Sequence, residues 1–184
     1  MFQFPPIPNW DALHPLIVHF PIALLLVAPL FIVAALVASP ARGRLFMISA
    51  LILMILGTAS VYLAVGTGEA AGKLAEGRPQ VTVALERHEH LAEETRIAFT
   101  ALTILLAAIV FVPWLLKFRP GRATSVIASV VFMAIYFGPV VLLINTAHHG
   151  GLLVHKFGVT TGVTAPTTVP SQAAPQLGAE HDRD

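Results

Sequence analysis

The sequence predicts an all-α fold, an integral membrane four-helix up-and-down bundle, and three observations predict it. Of its 184 residues 56% are hydrophobic and only 11% charged, with a mean hydropathy of +0.79, whereas soluble domains carry about 25% charged residues. Four apolar runs each come close to the roughly 20 residues that a helix needs to cross about 30 Å of hydrocarbon. The runs are apolar around the whole helix, as lipid-bathed helices are, where a soluble bundle would show polar faces. Four spans with short connections leave too little chain for a second core. One transmembrane domain, 14–158, is therefore expected behind a short arm, 1–13.

The first span, about 15–38, opens on Pro15, which suits a first helical turn because the N–H it lacks has no partner there. Pro21 removes an interior hydrogen bond and should kink the helix beside His19, the one strong polar group of the run. Met1 to Trp10 hold no Lys or Arg, so a cleavable signal peptide is not expected and the span should be retained. Ser39-Pro40-Ala41-Arg42-Gly43-Arg44 is a turn by composition, and the second span, about 45–65, closes at Gly66-Thr67-Gly68. Charge then gathers between Glu69 and Arg96. No Pro or Gly interrupts Val81 to Arg96, so the third helix should start near Thr82, project outside the bilayer and enter it over about 97–116. Lys117-Phe118-Arg119-Pro120-Gly121-Arg122 turns the chain into the fourth span, about 126–147, which Pro139 should bend. From 159 to 184 Thr, Pro, Ala and Gln dominate, which predicts a disordered tail.

Orientation follows from Lys and Arg in the short turns. Arg42, Arg44, Lys117, Arg119 and Arg122 fall on one side without an acid, while the long loop opposite mixes four cations with six glutamates. The basic turns should face the cytoplasm. Both termini would then face outward, into the periplasm if the membrane is a bacterial inner membrane. A net charge of +1 gives no footing for nucleic acid, and the absence of cysteine excludes disulfides, iron–sulfur ligation and covalently attached haem.

Alternating spans carry His14, His19, Glu69, His88, His90, His148 and His149 to one membrane face. A polar ring within an apolar run, as at His19, is a functional candidate by default; its bland reading is a ring that satisfies a carbonyl freed by Pro21. His14 and His19, five apart on one helix, cannot be opposite ligands of one iron. In His88-Glu89-His90 a helix turns the two rings nearly opposite ways, so one can face the bundle while the other meets water. His88 lies nine residues before Ile97, about 13 Å along a helix, and an amphipathic solvated helix is the plain alternative. Only one of His148 and His149 can point inward, and Gly150-Gly151 permit a tight exit.

Leu-His-Pro-x-x-x-His-Phe-Pro-Ile at the head of the first span, Gly-Thr-Gly-x-x-Ala-Gly after the second and His-x-Gly-Gly-x-Leu-Val after the fourth resemble the bacterial membrane proteins called domain of unknown function 2231. The likeness runs from about Leu13 to Gly162. It implies a four-span membrane domain and carries over His14, His19 and His148 as motif positions. His155 stands where the family usually shows an aromatic residue, and Phe157 where it often shows histidine. Members occur alongside c-type cytochrome domains, which points toward redox work.

Histidines on different spans near one surface fit a non-covalent b-type haem, held from opposite faces by two imidazoles. The first expected pair is His19 with His148. A second haem would lie between His14 and either His88 or His90. An electron carrier or respiratory accessory subunit is expected rather than a stand-alone enzyme, exchanging electrons with a quinol or a periplasmic c-type cytochrome. A copper, zinc or iron ion would use the same imidazoles with Glu69 or Glu89. A structural or assembly subunit, a small transporter and a homo-oligomer stay open.

Overall fold

The computed structural model describes residues 8–75 and 77–159. Residues 1–7 of the arm and 160–184 of the expected disordered tail lie outside the described residues. A 3-10 turn, Asp11–Leu13, leads into a short helix α1, His14–Ile17, and then into α2, His19–Val37; α3 is Pro40–Lys73, α4 Pro79–Leu115 and α5 Arg122–His155. Among the described residues there is no strand. Four helical stretches, beginning at Asp11, Pro40, Pro79 and Arg122, are long and apolar enough to cross a membrane. Helix α2 packs on α3, α3 on α4, α4 on α5 and α5 back on α2. The expected up-and-down bundle of a multi-pass membrane protein is what forms.

Prolines set the local breaks. The Pro21 ring crowds the carbonyl four residues earlier, at Ile17, and the helix is interrupted at Val18 and restarts at His19. That restart leaves Pro21 in the first turn of α2, where its missing N–H costs nothing. Pro29 lies inside α2 and frees the carbonyl of Leu25, which nothing in lipid could satisfy. The buried Tyr136 of α5 donates its hydroxyl to that oxygen at 2.7 Å. One defect in α2 thus becomes a cross-link to α5.

The core runs along the bundle axis through Leu25, Met54, Phe99, Leu106, Phe132 and Tyr136. Lipid tails are as apolar as these side chains, so their burial gains close packing rather than escape from water. Glycine permits the tightest approach: a Cβ on Gly57 would lie 2.7 Å from Leu25 Cδ2. Thr58 of α3 and Thr103 of α4 share a hydrogen bond of 2.8 Å. Leu30, Val37, Ile104, Leu115 and Phe137 point outward and are exposed, which suits contact with acyl chains.

Three helices overrun the expected spans. Helix α3 continues through Gly66-Thr67-Gly68 to Lys73 rather than closing there, α4 starts at Pro79 rather than Thr82, and α5 runs through Gly150-Gly151 to His155. At 34 to 37 residues each is about 50–55 Å long, well beyond the hydrocarbon thickness. The outward extension expected of the third helix is therefore shared by its neighbours. Ala75, Val81 and Leu153 bury a second small apolar cluster with Leu85 and Phe157, which holds the three extended ends together.

Candidate functional site

The extended ends flank a half-open cavity of about 880 Å³ lined by residues of all five helices. Much of its wall is apolar, including Val18, Ile22, Val61, Val65, Leu143 and Leu153, while His14 of α1, Glu69 of α3 and His88 and His90 of α4 also line it.

His14 stands at the first position of α1 and is half-buried. Its Nδ1 lies 2.9 Å from the carbonyl oxygen of Ala64 and 3.2 Å from Thr67 Oγ1 on α3. A carbonyl only accepts, so Nδ1 carries the hydrogen and, in the neutral ring, Nε2 keeps the lone pair. Thr67 is itself buried and donates back to Leu63 and Ala64. His88, half-buried on α4, repeats the arrangement from the other side: its Nδ1 donates to the carbonyl of Thr146 on α5 at 3.1 Å. Beneath it Thr95 and Thr146 share a hydrogen bond of 2.8 Å, and both reach the carbonyl of Leu91. Both rings are thus oriented by backbone carbonyls of a helix other than their own, the arrangement that fixes tautomer and direction in ligating histidines. Their centroids lie 6.4 Å apart with the planes 80° to one another.

Glycines seat these side chains. A Cβ on Gly68 would come within 2.9 Å of His14 Cε1, and one on Gly150 within 3.0 Å of His88 Cε1. Gly72, four residues beyond Gly68 and so on the same face of α3, receives Glu89, whose Oε1 would be 2.9 Å from such a Cβ. Trp10 Nε1 donates to the carbonyl of Gly66 at 3.2 Å. The stretch Gly66-Thr67-Gly68-Glu69-Ala70-Ala71-Gly72 reads from sequence as a helix exit; it is a receiving surface for Trp10, His14 and Glu89. Small residues four apart inside a helix are the signal that pointed to it.

The remaining candidates fall elsewhere. His19 and His148 are both exposed and neither lines the cavity. Five helical residues turn a side chain by about 140°, so with His14 aimed at α3, His19 faces away. His149 bonds the carbonyl of Asn145 on its own helix at 3.0 Å and stacks edge-on to His148 at 5.7 Å. His90 lines the cavity but is exposed, 3.5 Å from the carboxylate of Glu94. Glu69 and Glu89 line it from α3 and α4 and are exposed. Among the described residues no three His, Cys, Asp or Glu side chains converge as a ligand set for a bare ion.

Fold and site together define a multi-pass helical membrane protein with a histidine-bearing cavity at one end of the bundle. The family described as predicted membrane protein DUF2231 matches residues 10–163, and the chain belongs to it. No curated protein and no solved structure matches the chain.

Proposed function

We propose that this protein holds a b-type haem through His14 and His88 and exchanges electrons at the membrane surface nearest that site. The observation that carries the reading is the pair of half-buried imidazoles, each spending Nδ1 on a carbonyl and leaving Nε2 for a metal. The 6.4 Å between their ring centres leaves room for one metal to be held by both imidazoles. A bare copper, zinc or iron site usually takes three or four protein donors, and among the described residues no third His, Cys, Asp or Glu joins these two rings as a ligand set. A haem would bring most of its own metal ligands and would need from the protein only the two imidazoles and apolar walls. Bound between two imidazoles it supplies one-electron exchange. The chain's own contribution is to fix both rings through Ala64 and Thr146 and to line the cavity with apolar side chains.

Purified protein is expected to show a sharp alpha band and a shifted Soret band on dithionite reduction. Both are lost in His14→Ala and in His88→Ala and kept in His19→Ala and His148→Ala. A colourless preparation, or bands lost only in the second pair of variants, overturns the reading.

The Lys and Arg of the short turns support a cytoplasmic position for the opposite end in a bacterial inner membrane, and on that reading the haem would face the periplasm and serve a quinol or a soluble c-type cytochrome. The chain has no cysteine, so single Cys variants report topology cleanly. In Gln80→Cys an impermeant maleimide added to whole cells should label the protein, and in Ala41→Cys it should not; the reverse pattern inverts the orientation.

A further inference from the structure

At the opposite end the four helices part around a second cavity of about 1290 Å³. Its walls are apolar side chains from every helix, among them Leu36, Met47, Ile109 and Val126, and its rim carries Arg44, Lys117, Arg119 and Arg122. No acidic residue belongs to the segments that form this end: the ten in the sequence are Asp11, six glutamates between 69 and 94, and three in the last five residues. Among the described residues the ion pairs, His90 with Glu94 and Arg96 with Glu93, all lie toward the other end. Four cations therefore rim one opening with no anion among the described residues of that end to face them, at the depth where Trp114, 65% exposed, marks a membrane interface.

Lys117 adds an independent observation. Helix α4 ends in a Schellman turn, with Phe118 N–H bonded to the Pro113 carbonyl at 2.9 Å and Lys117 N–H to that of Trp114 at 3.2 Å. The residue in the left-handed position is Lys117, at φ 53°. Glycine takes that position freely, and another L-residue is disfavoured there by about 1–2 kcal/mol. The strained turn fixes where the Lys117 side chain leaves the backbone, at the rim of the cleft.

We propose that this cavity is a binding site for an anionic phospholipid of the adjoining leaflet. The cleft is half-open, and its apolar walls at membrane depth ask for a hydrocarbon chain rather than water. The rim asks for phosphate, and a phospholipid supplies both in one molecule. The site shares no residue with the histidine cavity and does not depend on what that cavity holds.

The test uses the delipidated full chain in detergent, titrated with phosphatidylglycerol and with phosphatidylethanolamine and read by native mass spectrometry. A cation beside an anionic surface is worth about fivefold in affinity. Phosphatidylglycerol should therefore bind at least about tenfold tighter than phosphatidylethanolamine, and Arg44→Gln/Lys117→Gln/Arg119→Gln/Arg122→Gln should lose at least about tenfold. Removing as many charges at the other end, in Lys73→Gln/Arg78→Gln/Arg87→Gln/Lys156→Gln, should change binding less than about twofold. Lys117→Gly separates folding from binding, because it relaxes the turn and should weaken phosphatidylglycerol while leaving thermal stability equal or higher. Equal affinity for the two lipids, equal loss in the two multiple variants, or displacement of phosphatidylglycerol by millimolar inorganic phosphate overturns the proposal.

Discussion

The two ends of the bundle are built on opposite plans. At one end both cavity rings are tied down, His14 to Ala64 with Thr67 beside it and His88 to Thr146 above the pair of Thr95 and Thr146, and both are seated against glycines. At the other, cations on exposed side chains rim an opening without one ion pair among the described residues of that end. The first plan fixes geometry, which metal ligation demands; the second leaves long side chains free to follow a mobile partner. Charge therefore says little about where this molecule is rigid. Glycine and threonine placement says more.

The contrast can be broken most severely at the seats. In Gly150→Leu the added side chain starts where His88 lies, and overpacking of this kind costs about 1–3 kcal/mol; the reduced-minus-oxidised spectrum should collapse along with the drop in melting temperature. Gly68→Val should do the same through His14. Tyr136→Phe strands the carbonyl of Leu25 in an apolar core and should cost about 1–3 kcal/mol, read by thermal unfolding in detergent, without altering any spectrum, since it lies in the core and not at the histidines. Thr146→Val keeps volume but cuts the bonds to Thr95 and Leu91. It should cost about 1 kcal/mol and broaden the haem bands by loosening His88. Smallest of all, the fourfold Gln variant at the basic end should move stability by less than about 1 kcal/mol, as unpaired surface charges do. A large loss there would mean that those cations hold the fold together, and the two-plan distinction would fail.

Much of this was legible in the amino-acid order. Four runs, their alternation and the Lys/Arg asymmetry predict the bundle and the gathering of histidines at one end, because hydrocarbon thickness and loop charge act on whole segments. The histidine pairing was not legible in the same way. Which ring faces inward depends on rotation about each helix axis, and that rotation is set by the interruption at Val18 and by the lengths of α3 and α5 beyond residues 65 and 147. A run that stops being apolar looks like a helix that stops; α3 instead goes on because Ala71, Gly72 and Ala75 pack against α4 and α5 as a second apolar contact. The Pro29 and Tyr136 partnership did leave a trace: a proline deep in a span requires an outside donor, and the chain has only two tyrosines.

The pause at Val18 also decides how the site feels its surroundings. The piece that carries Trp10 and His14 is fastened to α3 through Gly66, Ala64 and Thr67, while α2 begins afresh at His19. Membranes of different thickness tilt their helices; the backbone stays helical at Val18, but the hydrogen bond that Pro21 cannot make to Ile17 marks where α2 would bend while His14 stays fastened to α3. The spectrum in vesicles of short and long acyl chains should accordingly stay constant, as for an instrument mounted on a gimbal.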